Sequence, residues 1–336
     1  MIPDIIVVKV KKLEKMQVII QKDVYERGRL LFDPSGLAIT VFDVSEEDKM
    51  IEHQKNTGTK CMIIGADKYS EGFYNAIAPD SLIVRFGVGY DAVPIEICKK
   101  RRILVAFTPG TLDQSVAEYA MALILASARR IPQADDKLKN GEWNEGPGIE
   151  LCGKTLAILG FGKIGQHLAG VAKNGFGMKI NALDIMPQLD ARYHDLVDFY
   201  SSDFHSAVQD ADFVSLHMRV TKETEGFINL FKLELMKKEA ILINTARGKL
   251  VNEVDLFEAL ENKIIAGAAL DVFNEEPYVP IEGKDLRTLP NIILTPHIAS
   301  NTKATNEKMA QACINNVINF YKMNLKEVYL VPEMAS

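Results

Sequence analysis

Three short segments of the chain carry side chains that together could bind a carboxylate and move a proton. Arg247 follows one apolar, β-rich run, and His297 follows another. Between them, Glu275 and Glu276 follow a third run. An arginine can clamp a substrate carboxylate through two parallel hydrogen bonds. A histidine exchanges a proton near neutral pH, and a neighbouring carboxylate can orient its ring. Two structural alternatives stay open, since Arg247 could cap a turn and His297 could be a buried structural histidine.

A second chemical signal is a glycine pattern that directly follows the apolar run Thr155–Leu159 and opens a helical pattern. Glycines in this arrangement permit a tight turn, close approach of a pyrophosphate, and close packing of helix on strand. The N-terminus of the helix then offers free N–H groups to the phosphates. We therefore expect a dinucleotide to bind at the segment Gly160-Phe161-Gly162-Lys163-Ile164-Gly165, through Gly160, Gly162, Lys163, Ile164 and Gly165.

The expected dinucleotide is NAD because of Asp184, which stands nineteen residues after Gly165 at the end of the next apolar run. A carboxylate at this place accepts hydrogen bonds from both ribose hydroxyls and repels a 2′-phosphate. Ile185 and Met186 follow, and neither could neutralise such a phosphate. A nicotinamide beside an arginine, a carboxylate and a histidine suits hydride transfer coupled to proton transfer on an alcohol or ketone next to a carboxylate.

These side chains need elements that place them at one edge of a sheet. Short β-rich runs alternate with longer helical patterns, which indicates parallel sheets with crossover helices. Ligands of such sheets bind at the carboxyl ends of the strands. His217 ends a predicted strand and Thr245 directly follows one, and we expect both to line the cofactor, with His217 not acting as the base. The predicted strands are Gln17–Ile20, Ala38–Phe42, Cys61–Ile64, Leu82–Arg85, Ile103–Ala106, Thr155–Leu159, Lys179–Leu183, Phe213–His217, Ala240–Asn244, Ala266–Leu270 and Asn291–Thr295.

Two long helices complete the pattern. The first is predicted over Asp113–Arg130, and it is apolar nearly all round, so it should be buried on more than one side. The second is predicted from about Thr305 to Met323. The glycine-rich segment Asn140–Gly153 is predicted to be a loop.

The composition is that of a globular protein with a sizeable core. The 336 residues predict roughly two domains. Their content of 47% hydrophobic and 25% charged residues excludes disordered and collagen-like classes. Acidic residues outnumber basic ones by 45 to 39, and no basic block stands out, so neither a nucleic acid nor an anionic membrane is an expected partner. The longest apolar stretch, Ala117–Ala128, is too short to span a bilayer. Four widely spaced cysteines predict no metal site and indicate reduced thiols in a cytoplasmic protein: Cys61, Cys98, Cys152 and Cys313.

From about Gln17 to about Met323 the chain resembles the D-isomer-specific 2-hydroxyacid dehydrogenases. The likeness is carried by the glycine pattern, by the segments around Arg247, Glu276 and His297, and by four further motifs, Arg85–Asp91, Thr108–Gly110, Ser115–Glu118 and Gly141–Trp143. The resemblance implies NAD-dependent interconversion of a D-2-hydroxy acid and its 2-oxo acid.

The resemblance also implies a role for each site residue. Arg247 would bind and polarise the 2-oxo acid, and His297 would be the acid and base. Glu276 would hydrogen-bond to His297 and keep it protonated, and the family's spacing selects Glu276 over Glu275. Backbone amides around Val88 and Gly89 would hold the substrate carboxylate. Asp271 would contact the carboxamide of the nicotinamide.

The fold that the resemblance implies is α/β, with two Rossmann-like parallel-sheet domains. The cofactor domain would be inserted into a discontinuous, flavodoxin-like substrate domain. We expect the substrate-binding domain over residues 1–108 and 299–336 and the NAD-binding domain over residues 109–298. The helix Asp113–Arg130 lies where the family forms its two-fold interface, so we expect a homodimer.

Several points stay open. Lys68 could pair with a second anionic group of the substrate or be solvated, and Tyr69 could face an aromatic or aliphatic side chain of the substrate. Arg219 stands where the family often has proline, and it could lie near the adenine end of the cofactor or be solvated. The role of residues 1–15 is undecided. The rival function is that of a non-enzymatic, NAD-sensing binding protein of the corepressor kind, although nothing in residues 1–108 indicates a peptide-binding groove.

Overall fold

The computed structural model of the protein describes residues 16–143 and 146–334. The chain forms two compact units, and one of them is inserted into the other in sequence. The first unit takes the residues up to Leu112 together with those from Thr302 onward, and the second takes Asp113–Asn301. The question about residues 1–15 lies outside the described residues.

The first unit contains a five-stranded, all-parallel sheet with the order β2-β1-β3-β4-β5, which is the flavodoxin-like order. Every residue of the third and fourth strands is buried, because crossover helices cover both faces of such a sheet. The last helix of the chain packs against α1 and β4. The strands are β1 Gln17–Gln21, β2 Ala38–Phe42, β3 Cys61–Ile64, β4 Leu82–Arg85 and β5 Leu104–Ala106, and the helices are α1 Lys22–Phe32, α2 Glu47–Thr57, α3 Glu71–Ala76, α4 Ile95–Lys100 and α11 Lys303–Tyr321.

The second unit contains a seven-stranded, all-parallel sheet with the order β12-β11-β10-β9-β6-β7-β8. This is a doubly wound order, in which the chain reverses direction across the sheet between β6 and β9, and ligands of such folds bind at that reversal. The strands are β6 Thr155–Leu159, β7 Lys179–Leu183, β8 Phe199–Ser201, β9 Phe213–Leu216, β10 Ile241–Asn244, β11 Gly267–Leu270 and β12 Ile292–Leu294, and the helices are α5 Asp113–Ala128, α6 Ile131–Lys139, α7 Lys163–Phe176, α8 Phe204–Val208, α9 Leu230–Glu234 and α10 Glu253–Glu261.

The two parallel-sheet domains confirm the predicted fold class, and the differences from the prediction are local. The sequence predicts no strand at β8, which is three residues long, lies at the edge of the sheet and pairs with β7. The predicted strand Phe213–His217 ends one residue earlier, at Leu216. Within the described residues, no helix is long and apolar enough to cross a membrane.

The long apolar helix α5 is buried mainly by its own unit. It packs against α7, β10 and β11, and its outward side presents Gln114, Glu118 and Ala122. Its nearly all-round apolar surface is therefore explained without a partner chain. The following helix, α6, differs, because it has no buried residue and exposes Ile131 and Leu138.

Candidate active site

The glycine loop between β6 and α7 is packed too closely for side chains at two of its three glycines. Gly160 has a φ of +96°, and a Cβ atom there would lie 2.7 Å from the backbone carbon and oxygen of His217. A Cβ atom at Gly165 would lie 2.5 Å from the carbonyl oxygen of Gly160. The loop is thus fixed against the end of β9 and against the start of its own helix, as a dinucleotide-binding turn requires.

The surroundings of this loop fit a dinucleotide. At Gly162, the N-cap of α7, a Cβ atom would have no described atom within 4 Å, which leaves room for a phosphate to approach the backbone. The hydroxyl of Thr245 is buried and has no hydrogen-bond partner among the described residues, so it can serve a bound ligand. The carboxylate of Asp184 accepts hydrogen bonds from the backbone amides of Phe161, at 2.8 Å, and Met186, at 3.1 Å. Asp184 is therefore held at the end of β7, beside the glycine loop.

His217 lies beside this loop but is unsuited to be the base. Its Nε2 atom is 2.8 Å from the hydroxyl oxygen of the fully buried Ser215. Burial lowers the pKa of His217 to about 4, so the ring is too weakly basic to hold a proton at neutral pH. Two residues further on, Arg219 is exposed, and its place near the adenine remains a prediction.

His297 and Glu276 form the central pair of the site. The distance from Nδ1 of His297 to Oε2 of Glu276 is 2.6 Å, and both side chains are about a third exposed. The other carboxylate oxygen of Glu276 accepts a hydrogen bond from the backbone amide of Phe273 at 3.0 Å. With Nδ1 facing Glu276, Nε2 is the ring nitrogen left to exchange a proton with a substrate. His297 has a φ of +52°, a conformation that is uncommon outside glycine and that is found at functional sites.

The charges around Glu276 favour its ionised form. Burial alone would raise its pKa, but the hydrogen bond and the charge of His297, the amide of Phe273 and the charge of Arg247 together outweigh burial. The pKa of Glu276 therefore lies below its ordinary value. Because the charge of Arg247 is one of the causes that lower the pKa of Glu276, the guanidinium acts electrostatically on the His297–Glu276 pair.

Arg247 lies in a turn after β10 that Asn244 stabilises. The side-chain amide of Asn244 donates to the carbonyl of Arg247 at 2.9 Å, and its oxygen accepts from the amide of Ala246 at 3.0 Å. The next residue, Gly248, packs directly on the segment that leads to Glu276, because a Cβ atom there would lie 1.9 Å from the carbonyl carbon of Phe273. The sequence alone assigns no role to Asn244, the last residue of β10, because its side-chain amide bonds only to the backbone of the turn that follows.

Asp271 is fully buried at the end of β11 and organises the segment that carries His297. One of its carboxylate oxygens accepts from the hydroxyl of Thr295 at 2.7 Å and from the amide of Ile298 at 3.0 Å. The other accepts from the amide of Ala299 at 2.8 Å. Burial raises the pKa of Asp271, although these hydrogen bonds and the charge of His297 oppose the rise. Contact between Asp271 and the nicotinamide stays a prediction.

The predicted carboxylate-binding residues Val88 and Gly89 lie in the first unit, in the loop after β4. This loop is tied down just before them, because the amide of Gly87 donates to the buried hydroxyl of Thr108 at 3.0 Å. The amide of Thr108 in turn donates to the carbonyl of Gly87 at 3.1 Å. Both Val88 and Gly89 are half-buried, so their backbone lies near the surface of the unit.

The structure corrects the suggestion that Tyr69 faces a substrate side chain. Tyr69 is 7% exposed and stacks on Phe73 in the core of the first unit. Its hydroxyl donates to the side-chain oxygen of Gln21 at 3.1 Å, and that oxygen also accepts from the amide of Gly65 at 2.6 Å. The tyrosine is buried because its ring fills the core under the loop. Lys68, in contrast, is exposed.

Together, a glycine loop on a helix N-terminus and a histidine–carboxylate pair near an arginine define a nicotinamide-dependent dehydrogenase. In the described part of the chain, no group of three or more His, Cys, Asp or Glu side chains is placed to hold a metal ion. The sequence profile described as "D-isomer specific 2-hydroxyacid dehydrogenase, NAD binding domain" matches residues 121–299. The chain therefore belongs to the D-isomer-specific 2-hydroxyacid dehydrogenases, and the predictions of the family, of an NAD-dependent enzyme and of NAD as cofactor are confirmed.

Individual relatives agree with this assignment. The chain is 44% identical over 250 residues to the glyoxylate reductase of Thermococcus litoralis, which covers 72% of this chain and 74% of that protein. It is 36% identical over 324 residues to the glyoxylate reductase of Pyrococcus furiosus, covering 91% and 92% of the two chains. Among solved structures, it matches the Aquifex aeolicus D-lactate dehydrogenase complexed with NAD and lactic acid, with a TM-score of 0.79, 28% identity, and coverage of 94% and 98%. It also matches the Sinorhizobium meliloti NADPH-dependent glyoxylate/hydroxypyruvate reductase in complex with NADP and malonate, with a TM-score of 0.81, 27% identity, and coverage of 95% and 97%.

Proposed function

We propose that the protein reduces a small 2-oxo acid to the D-2-hydroxy acid with NADH. The observation that carries the proposal is the 2.6 Å hydrogen bond between His297 and Glu276, with the charge of Arg247 felt at the same carboxylate. A supported histidine next to an arginine is suited to reducing a carbonyl that lies beside a carboxylate, because one group supplies the proton and the other binds the anion.

In this proposal each of the three residues has its own task. When bound, the cofactor supplies the hydride. The guanidinium of Arg247 pairs with the substrate and polarises its carbonyl oxygen. Nε2 of His297 gives a proton to that oxygen, while Glu276 holds the ring through Nδ1 and stabilises its charged form. The substrate carboxylate is assigned to the backbone amides of Val88 and Gly89.

The cofactor residues and domains follow the same proposal. Gly160, Gly162, Lys163, Ile164 and Gly165 are assigned to cofactor binding, with the pyrophosphate at Gly162 and the N-terminus of α7. Asp184 is assigned to the ribose, and its carboxylate favours NADH over NADPH because it would repel a 2′-phosphate. Asp271 is assigned to the carboxamide of the nicotinamide, and His217 and Thr245 are assigned to the lining of the cofactor site. We assign substrate binding to the unit with the five-stranded sheet and NAD binding to the unit with the seven-stranded sheet.

Glyoxylate is the first substrate to test, since the two curated relatives above are glyoxylate reductases. The experiment is a panel of 2-oxo acids with NADH, comprising glyoxylate, hydroxypyruvate, pyruvate, 2-oxoglutarate and phenylpyruvate. We expect the highest kcat/KM with one of the first three, and a lower value with NADPH than with NADH. Tight NADH binding without turnover of any member would instead support the NAD-sensing binding protein, which no observation at this site favours.

A homodimer in the cytoplasm completes the proposal. Helix α6 exposes Ile131 and Leu138, and Trp143, four residues after the helix ends, is 90% exposed, so this segment offers apolar side chains that a second copy could cover. The four cysteines are free thiols, as expected in a reducing compartment. Light scattering should give twice the 37.4 kDa mass of the chain, and a mass of one chain would contradict the dimer.

A further inference from the structure

We propose that Glu253 is a positioning residue of the reaction, which holds the loop that presents Glu276 to His297. This inference rests on the proposed function, because it concerns the same catalytic pair. Glu253 is the first residue of α10, on a segment that follows the Arg247 turn. Among the described residues it forms no hydrogen bond with His297 or Glu276, and its partner is the amide of Asn274. Its action is therefore indirect.

The contact that carries the inference joins Glu253 to the backbone of the Glu276 loop. The carboxylate oxygen Oε1 of Glu253 accepts a hydrogen bond from the amide of Asn274 at 2.7 Å, across 21 positions of sequence. Glu253 is only 6% exposed. Glutamate is almost never buried unless it is paired, and here the partner is the amide of Asn274. Burial of a carboxylate costs free energy, and here a hydrogen bond to one loop amide offsets part of that cost. We infer that the fold keeps this carboxylate because it fixes the loop.

Short connections lead from this contact to the catalytic pair. Asn274 directly follows Phe273, whose amide donates to Oε1 of Glu276, and Oε2 of Glu276 faces His297. On the other side, the carbonyl of Phe273 is pressed against Gly248, the neighbour of Arg247. The loop segment Phe273–Asn274 is thus clamped between Gly248 and Glu253. Loss of the clamp at Glu253 would leave Glu276 free to move away from His297.

The hydrogen bond to Asn274 needs an acceptor oxygen at this reach, whereas the surroundings of Glu253 disfavour its ionised form. Burial raises the pKa of Glu253, the amide of Asn274 opposes the rise, and the like charge of Glu275 adds to it. A glutamine keeps an acceptor oxygen of the same reach, whereas an aspartate is one methylene shorter and withdraws the oxygen from Asn274. The glutamine variant therefore removes the charge of Glu253 but keeps the length of its side chain, and the aspartate variant does the reverse.

The kinetic experiment compares Glu253→Ala, Glu253→Asp and Glu253→Gln with the control Glu261→Ala, which changes an exposed glutamate on the same helix. We expect kcat to fall about 10- to 100-fold in the alanine and aspartate variants, since a displacement of about 1 Å can cost 100-fold. The dissociation constant of NADH should stay within about twofold, and the glutamine variant should stay within about threefold of the parent in kcat. Wild-type rates in all variants, or equal losses in the glutamine and alanine variants, would overturn the inference.

A double variant tests whether Glu253 acts through Glu276. In a Glu276→Gln background, Glu253→Ala should cost no more than about a further twofold, because the group that it positions is already changed. A role limited to general stability would instead multiply the two losses. Multiplied losses would overturn the inference.

Hydrogen exchange of a peptide that covers residues 271–278 tests the clamp without any turnover. In the NADH complex, Glu253→Asp should speed exchange of this peptide about tenfold or more, and Glu253→Gln should leave it unchanged. Unchanged exchange in the aspartate variant would overturn the inference even if the enzyme is active. An inactive wild type with the expected exchange pattern would refute only the proposed function.

Discussion

Replacement of Gly248 by alanine should separate the arginine from the carboxylate that supports the histidine. In the structure, the Cβ of an alanine would lie 1.9 Å from the carbonyl carbon of Phe273 and 2.1 Å from its oxygen. Ordinary contact begins near 3.4 Å, so the two backbone segments must separate by about 1.5 Å. Both neighbours are backbone atoms, and no side chain can rotate away to relieve the contact.

This displacement lies between Arg247 and Glu276, so its effect on the rate can be estimated. Phe273 donates its amide to Glu276, and movement of Phe273 disturbs the carboxylate that faces His297. A displacement of about 1 Å at a reacting group can lower the rate about 100-fold. We therefore expect Gly248→Ala to lower kcat by at least about 100-fold. Overpacking should also cost about 1–3 kcal/mol of stability.

The assay follows NADH oxidation with the best substrate of the panel, with the NADH dissociation constant and Tm measured in parallel. Gly170→Ala is the matched control, because it lies within α7 and its Cβ would have no described atom within 4 Å. The control should keep kcat and keep or raise Tm, since alanine favours a helix over glycine by about 1 kcal/mol. The reasoning is refuted if Gly248→Ala binds NADH normally and keeps kcat within about threefold of the wild type.

The remaining predictions concern the assigned roles of the site residues. His297→Gln and Arg247→Ala should each lower kcat/KM for the 2-oxo acid by at least about 100-fold while NADH binding persists, and near-normal turnover in either variant would contradict its role. The pKa of Glu276 lies below its ordinary value, so the carboxylate is charged at neutral pH and favours the protonated histidine that reduction needs. The reduction rate should therefore fall with rising pH, and Glu276→Gln should move that fall to lower pH; an unchanged pH profile would remove Glu276 from this role. Asp184→Ala should weaken NADH binding about tenfold and narrow the preference for NADH over NADPH, measured by fluorescence titration, and unchanged binding of both cofactors would argue against the ribose contact.

Much of the fold could be predicted from the sequence because the strands of buried parallel sheets are continuous apolar runs. The strands Cys61–Ile64 and Thr155–Leu159, for example, have the predicted bounds. The edge strand Phe199–Ser201 could not be found in this way, because it is three residues long and only partly buried. Its strand conformation depends on pairing with β7, which a local pattern does not contain.

Residues of the candidate site can be picked out in the sequence where their own side-chain chemistry marks them, but not where a residue bonds only to the backbone of another segment. Arg247, Glu276 and His297 have reactive groups and follow strand ends. Glu253 and Gln21 do not stand out in the sequence in this way. Glu253 accepts a hydrogen bond from a backbone amide 21 positions away, and Gln21 accepts one from an amide 44 positions away. These separations come from the path of the chain through the fold, so no spacing rule in the sequence leads to them.

The two carboxylates that follow β11 show how the environment assigns roles to similar groups. Asp271 and Glu276 are five residues apart, yet the pKa of Asp271 is raised and that of Glu276 is lowered. Burial opposes ionisation of both groups, and the charge of His297 favours it in both, so neither effect alone explains the difference. The difference arises because Glu276 forms a hydrogen bond with the His297 ring and lies within the influence of the Arg247 charge. Asp271 is fully buried, and its oxygens accept hydrogen bonds from Thr295, Ile298 and Ala299 instead. Glu276 therefore responds to the protonation of His297, and Asp271 fixes the backbone segment that carries His297.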